Sequence, residues 1–265
     1  MQNLLSARQY RCLVLFSLII AVVGGVVLGI NNGELDLHWT GQIRLWAQAP
    51  QQDALLAFLH WFSLPYGGQL ASILLIGANF GVWVFYLRQA RSAVGLATER
   101  HLRRKKSEMI LLAALLIALI IPVLKGAVAR ERPRFHKDNV GYTPWYDVVS
   151  RNRENPMNRG SFPSGHTLQA ALLFALIFAG GRGGGSRRQS VRTKLLLTAM
   201  SLFYVALMGL SRIALDKHWL ADVFFAALIG FWIVLFSFWL VFARLKHEEP
   251  LHSIFWRRAH AQQEP

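Results

Sequence analysis

Apolar residues along the chain gather into six runs separated by short polar punctuation. The first extends from about Cys12 to Ile30 and stops at Asn31-Asn32-Gly33; the others cover about 69–87, 109–125, 165–179, 195–210 and 220–243. Such runs approach the roughly 20 residues a helix needs to cross a hydrocarbon core. No small-residue cleavage pattern follows the first run, so a retained helix is expected in place of a signal peptide. Between Leu37 and Phe62 the pattern changes. Trp39, Ile43 and Trp46, then Leu55, Leu59 and Phe62, recur at helical spacing, broken by Asp36, Arg44, Gln51, Gln52 and Asp53. This predicts two short amphipathic helices in the interface, divided at Pro50. The Gly- and Arg-rich stretch 180–194 predicts a flexible connector. The expected fold is therefore all-α, a polytopic membrane protein with six transmembrane helices and short interfacial helices, in one domain over 1–265.

Composition agrees. Of 265 residues 54% are hydrophobic and 16% charged, where a soluble domain carries about a quarter charged residues. The net charge of +15 does not argue for nucleic acid, because the basic residues interrupt apolar runs and form no single stripe. Loops beside anionic lipid account for them. The one cysteine, Cys12, lies inside the first run, so neither a disulfide framework nor a thiolate zinc cluster can be built.

With the N-terminus inside, 18 of the 29 Lys and Arg fall on the cytoplasmic side and 11 on the other, which favours both chain ends in the cytoplasm. Ten of those 11 flank three stretches, and cations kept on the unfavoured side call for an anion. Ser211–Asp222 packs Arg212, His218 and Asp222 between two apolar runs. If the chain is helical from Trp219, His218 and Asp222 share a face within hydrogen-bonding reach. A carboxylate on one imidazole nitrogen leaves the other free as nucleophile or base. Anchoring of Lys, His and Trp in headgroups is the alternative for this stretch alone. The second stretch, Lys125 to Pro133, places Lys125 and Arg132 about two helical turns apart. Snorkelling of helix-end cations accounts for Arg130 and Arg134, but poorly for Lys125, which follows Leu124 in the apolar run. The third, Ser161 to Thr167, puts Pro163 and Ser164 at a helix start. Free N–H groups there, the Ser164 hydroxyl and the close approach allowed by Gly165 would make an anion cradle with His166 beside it. A capping turn is the simpler alternative.

Two histidines, one carboxylate and three cations on one membrane face suit a tetrahedral phosphate. Lys-x6-Arg-Pro, Pro-Ser-Gly-His and Ser-Arg-x5-His-x3-Asp, in this order, resemble the three signature motifs of the type 2 phosphatidic acid phosphatase (PAP2) superfamily. The match is complete at the motif positions, and the six runs resemble its membrane branch. Phe-Pro-Ser-Gly-His-Thr and His-Trp-x2-Asp are most similar to the bacterial phosphatidylglycerophosphate and undecaprenyl-pyrophosphate phosphatases.

The resemblance implies a PAP2-like helical bundle and a role for each motif residue. His218 would be the nucleophile that forms a phosphohistidine, with Asp222 orienting it. His166 would protonate the leaving oxygen and then activate water. Lys125, Arg132, Ser164, Gly165 and Arg212 would bind the phosphate oxygens. No metal or cofactor is called for, since fixed cations take that place. The expected substrate is a membrane phospholipid or isoprenyl diphosphate, met in the bilayer from the extracytoplasmic side of a bacterial inner membrane. A lipid A 1-phosphatase, a lipid phosphotransferase using the same site, and a non-catalytic lipid-binding or transport protein are the alternatives. The loop 134–159, with Tyr142, Trp145, Tyr146 and Asp147, is long enough to cover a headgroup. Asp216, Lys217, Arg130, Arg134 and His136 lie nearby but fall outside the motifs and are left unassigned.

Overall fold

The computed structural model describes residues 7–64, 69–89, 97–135, 142, 144–146, 160–179 and 187–243. The described residues hold no strand. Their helices are α1 (Ala7–Ala47), α2 (Asp53–Phe62), α3 (Leu70–Gln89), α4 (Ala97–Val128), α5 (Gly165–Ala170), α6 (Ala175–Ala179), α7 (Arg187–Ala214) and α8 (Leu220–Ala243). Five contain stretches long and apolar enough to cross a membrane: Arg8–Asn31, Leu70–Leu87, His101–Val128, Val191–Ala214 and Leu220–Phe242. The chain is an all-α integral membrane protein. The expected fourth span is a shorter apolar segment, Gly165–Ala179. It is built from α5, a 3-10 turn at Ala171–Phe174, and α6.

Two of the boundaries that differ from the hydropathy pattern change an expected element. The first run does not end at Asn31-Asn32-Gly33. Asn31 and Gly33 take positive φ values of 51° and 85°, so the right-handed path is interrupted there, yet the helix resumes and continues to Ala47. The first of the two expected interfacial helices is thus the second half of α1. The other is present as α2, after a 3-10 turn at Pro50–Gln52. The second difference concerns 180–194. Residues from Arg187 onward are the first turns of α7, so that part is no loop; 180–186 lie outside the described residues.

Helix α8 packs against α1, α4, α5 and α7. The core between them contains Met109, Ala113 and Ile117 of α4, Leu168 of α5, Met208 of α7, and Ala226, Val234 and Phe238 of α8. Apolar side chains also cover the outside, among them Leu15, Val22 and Val26 on α1 and Leu195 and Phe203 on α7. In lipid those faces need no protein partner, so close packing instead of apolar burial holds the helices together. Gly230 shows how close. A Cβ added there would collide with the Ala171 side chain and approach the Leu168 carbonyl oxygen to 3.3 Å. This contact sets the α5–α6 segment against α8, with the start of α5 beside the start of α8.

Candidate active site

Helix α7 ends at Ala214, and the chain turns back on itself before α8. Asp216 takes φ 55°, a left-handed conformation that Asp tolerates better than most residues. The Lys217 and His218 amides both donate to the Arg212 carbonyl, at 3.0 and 3.3 Å. The turn buries His218, which is 2% exposed. Its Nδ1 lies 2.7 Å from the Ser161 carbonyl oxygen. A carbonyl can only accept, so Nδ1 carries the proton and Nε2 is the bare nitrogen. Asp222 Oδ2 is 3.7 Å from Nδ1, too far for a hydrogen bond. His218 and Asp222 do share a face, as their spacing requires, but the direct partner of the ring is the backbone of Ser161. Burial holds the His218 pKa down at about 4; the nearby Asp222 opposes this, while Arg212 and Lys125 add to it. At neutral pH the imidazole is uncharged.

Ser161 belongs to the segment that leads into α5. Its amide donates to the Arg130 carbonyl at 2.9 Å, and its hydroxyl donates to Asp222 Oδ2. The next motif residues sit close by. Ser164 is extended (φ −64°, ψ 107°) and makes no side-chain cap to α5. Its amide donates to the Asp222 carbonyl at 3.1 Å, and its Oγ accepts from Thr167 Oγ1 at 2.9 Å. That bond orients the Ser164 hydroxyl while leaving its own proton to donate elsewhere. Gly165 lies against the last turn of α4, where a Cβ would stand 3.8 Å from Lys125 Nζ. His166, one residue further, is partly exposed.

Lys125, Arg132 and Arg212 converge on this place. The Nε atoms of Arg132 and Arg212 are buried without a hydrogen-bond partner. Both arginines and Lys125 act electrostatically on His166, together with His218. Among the described residues no ion pair joins any of the three cations to a carboxylate. Arg132 is held below the ordinary arginine value by burial and then by Arg134. Like charges withdrawn from water with no carboxylate paired to them are costly, and a bound anion offsets that cost. The structure thus brings the eight candidate site residues of the three motifs to the adjoining ends of α4, α5, α7 and α8.

Sequence reasoning missed a second set of residues. Arg130 is fully buried, so it does not snorkel. Its Nη1 donates to Asp222 Oδ1 and its Nη2 to Asp36 Oδ2, each at 2.7 Å. Burial works against its charge, but Asp222 and Asp36 together raise its pKa above the ordinary value. The Tyr142 and Trp219 rings flank the guanidinium at 5.4 and 5.3 Å. Asp36 Oδ1 accepts the Ala221 amide at 2.8 Å, and Thr40 Oγ1 accepts the Leu220 amide at 3.0 Å. Trp219 N donates to Asp222 Oδ2 at 3.0 Å. Three successive amides at the start of α8 are therefore capped, two of them by α1. Further along α1, Arg44 Nε pairs with Asp216 Oδ1 at 2.6 Å, and Gln48 Nε2 donates to the Ala214 carbonyl at 3.3 Å. Asp36, Thr40, Arg44 and Gln48 recur every four residues, one polar stripe on one helix face. That spacing was the available signal; the same residues look like breaks when only apolar positions are followed.

The expected covering loop is partly described. Tyr142 OH donates to Asp36 Oδ2 at 2.9 Å, Trp145 packs on Phe225 with centroids 4.4 Å apart, and Tyr146 OH donates to the Gly29 carbonyl at 3.3 Å. These aromatic residues tie the segment to α1 and α8. His136 and Asp147 lie outside the described residues.

A family model described as the PAP2 superfamily matches residues 107–246. The chain is 30% identical over 149 residues to lipid phosphate phosphatase 1 of Arabidopsis thaliana, covering 53% of this chain and 46% of that protein. It is also 30% identical over 150 residues to a Schizosaccharomyces pombe protein named probable diacylglycerol pyrophosphate phosphatase 1, covering 52% and 54%. The chain thus spans about half the length of the curated relatives it matches. Among solved structures, that of a transmembrane PAP2-type phosphatidylglycerolphosphate phosphatase from Bacillus subtilis aligns with TM-score 0.49 and 19% identity, over 90% of this chain and 96% of that one.

Proposed function

The chain belongs to the PAP2 superfamily, and from that membership we propose that it is a metal-independent lipid phosphatase working through a phosphohistidine. The observation that carries the reading is the buried, uncharged His218, whose Nδ1–H is committed to the Ser161 carbonyl, set beside three cations that form no ion pair among the described residues. Nε2 attacks phosphorus, and the bond to the leaving lipid oxygen breaks as His166 supplies its proton. Lys125, Arg132, Arg212, the Ser164 hydroxyl and the backbone at Gly165 hold the non-bridging oxygens as charge builds on them. His166, now without that proton, takes one from water; the hydroxide attacks the phosphohistidine, inorganic phosphate leaves and Nε2 is free again. Asp222, bonded to Ser161 and to the Trp219 amide, supports the positive charge that forms on the imidazole.

A site at the ends of membrane-spanning helices is reached by a headgroup more readily than by a soluble ester. The proposed substrate is a phosphomonoester or diphosphate on a membrane lipid, of the phosphatidylglycerophosphate or undecaprenyl diphosphate type. The name of the Schizosaccharomyces pombe relative supports the diphosphate class. With Gly165–Ala179 as a sixth span, both chain ends would lie in the cytoplasm and the site at the outer headgroup plane of a bacterial inner membrane. Residues 1–265 would form one domain.

The test is release of inorganic phosphate by purified protein from a phosphatidic or phosphatidylglycerol phosphate, undecaprenyl diphosphate and lipid A, with and without chelator. His218→Ala is expected to lose on the order of 10⁴-fold or more in turnover, as removal of an essential nucleophile does, while eluting like the parent in detergent. Substantial turnover in folded His218→Ala would overturn the mechanism. Loss on chelation restored by magnesium would overturn its metal independence.

A further inference from the structure

The residues matched by the family model begin at 107, so they leave out the whole of α1. Yet α1 supplies a buried charge to the site. Asp36 is 0% exposed, and every bond to its carboxylate comes from a donor: Arg130 Nη2 at 2.7 Å, Tyr142 OH at 2.9 Å and the Ala221 amide at 2.8 Å. Asp222 likewise accepts from Arg130 Nη1, the Ser161 hydroxyl and the Trp219 amide. The guanidinium and the Ala221 and Trp219 amides can only donate, and these donors favour ionised carboxylates, against the burial and the Asp222 charge that push the Asp36 pKa up. One guanidinium therefore stands between two carboxylates, and the group as a whole carries one negative charge.

We propose that Asp36 is a positioning residue for the nucleophilic His218, acting through Arg130, Asp222 and Ser161. The inference rests on the phosphohistidine reading above. Charge and geometry both argue for it. Arg130 paired with Asp222 alone would cancel the carboxylate nearest the imidazole, and the positive charge arriving with phosphorylation would face a neutral pair. Asp36 restores the negative excess. Geometrically, Asp36 holds the far side of Arg130, so the near side meets one oxygen of Asp222 and leaves the other to Ser161. Ser161, fixed through both its hydroxyl and its amide, presents the carbonyl that accepts the His218 Nδ1–H hydrogen bond. Asp36 Oδ1 also fixes the Ala221 amide, one residue before Asp222. Stability alone does not call for this arrangement. Packed apolar residues can replace a buried ion triad without loss, and Thr40 shows that an α8 amide can be capped from α1 without charge.

Asp36→Asn keeps size and an acceptor but removes the charge, and Thr40→Val removes a neighbouring cap with no charge. Asp36→Asn is expected to lower kcat by roughly tenfold to a hundredfold, the scale of a lost outer partner that orients a reacting group, with KM nearly unchanged. Thr40→Val is expected to lower the thermal midpoint and leave kcat near the parent value. In an Asp222→Asn background the Asp36→Asn effect should largely vanish, because both act along one path. A readout independent of turnover is ¹⁵N NMR of the imidazoles, with His218 assigned by its loss in His218→Ala. The parent should show the Nδ1–H tautomer at His218 and Asp36→Asn a mixture. Parent-like kcat in Asp36→Asn, or an undiminished effect in the Asp222→Asn background, would overturn the proposal. If Asp36→Asn does not fold, Tyr142→Phe, which strips one donor from Asp36, takes its place; lowered kcat supports the proposal and parent-like kcat overturns it. Should the parent release no phosphate from any lipid, the phosphatase reading falls. The tautomer comparison then decides the positioning claim by itself.

Discussion

Arg130 and Arg132 are two residues apart and stand in opposite surroundings. Arg130 is fully buried between two carboxylates at 2.7 Å. Arg132 is partly exposed, with a buried Nε that has no partner and with Lys125 and Arg212 as near charges. The split begins at the end of α4. Ala129 takes φ 47° while its amide still closes the last turn on the Lys125 carbonyl at 3.0 Å. Beyond it the chain sends one arginine toward α1 and α8 and the next toward Lys125 and Arg212. A satisfied arginine has little left for a ligand, whereas an unsatisfied one has its whole fork to offer. Two identical side chains can thus serve structure and ligand, and partners, not residue type, separate the roles.

Replacing each arginine by Met should break the pair apart. Arg130→Met leaves Asp36 and Asp222 buried without their cation, a loss of roughly 3–5 kcal/mol. It should show as poor yield and a collapsed thermal midpoint in detergent. Arg132→Met removes an uncompensated charge, so the midpoint should hold or rise. Its kcat/KM should fall by roughly 10²–10³-fold, as for loss of one group that stabilises transition-state charge. The reverse pattern, a stable Arg130→Met protein and an unfolded Arg132→Met one, would invert the assignment.

That contrast could not be read from sequence, although much else could. Apolar runs located five spans and the apolar Gly165–Ala179 segment, because lipid forces each long span to be continuous. The motif residues converge because they sit at run ends, which the fold brings together at the adjoining ends of α4, α5, α7 and α8. Hidden were facts that depend on three-dimensional partners. Arg130 resembles a helix-end cation until Asp36, 94 positions away, is brought against it. Asn31-Asn32-Gly33 resembles a stop because nothing local reveals that the helix resumes beyond two positive-φ residues. The direct partner of His218 is a carbonyl, and every residue has one, so composition could not single out Ser161.

The pH dependence sharpens the same comparison, since His218 lies between the two regions. Its pKa of about 4 against an ordinary 6.5 places the acid limb of kcat/KM near 4, because that limb reports the free enzyme's base. Removing a cation should raise the limb, so Arg212→Met moves it toward 6.5; removing the anion with Asp222→Asn moves it the other way. The stability sign follows from the same values. Between about 6.5 and 4 the unfolded chain binds the proton and the folded one does not, so stability declines as pH falls through that window and is flat in this respect below it. A parent limb near 6.5, or shifts of the same sign in both variants, would contradict the placement of His218 between opposite fields.

The smallest expected effect concerns the residue that divides the arginines. An L-residue in the left-handed region costs roughly 1–2 kcal/mol, and Ala129 sits there with φ 47°. Glycine relieves that cost but gives back about 0.5–1 kcal/mol through the freer unfolded chain. Ala129→Gly should therefore stabilise by about 0.5 kcal/mol, a rise of roughly 1–2 °C for a chain of this size. The backbone path beyond it should be unchanged, and so should the division of labour between Arg130 and Arg132. Phosphate release should stay within about twofold of the parent, since a change of 0.4 kcal/mol is a factor of about two. A bulkier, β-branched Ala129→Val variant should do the opposite, because its side chain meets the left-handed conformation at greater cost. Thermal midpoints of the three proteins in one detergent should fall in the order Gly, Ala, Val. If Gly is lower than Ala, the turn after α4 draws its stability from something other than the relief of strain, and the strained residue does not set the two arginines apart.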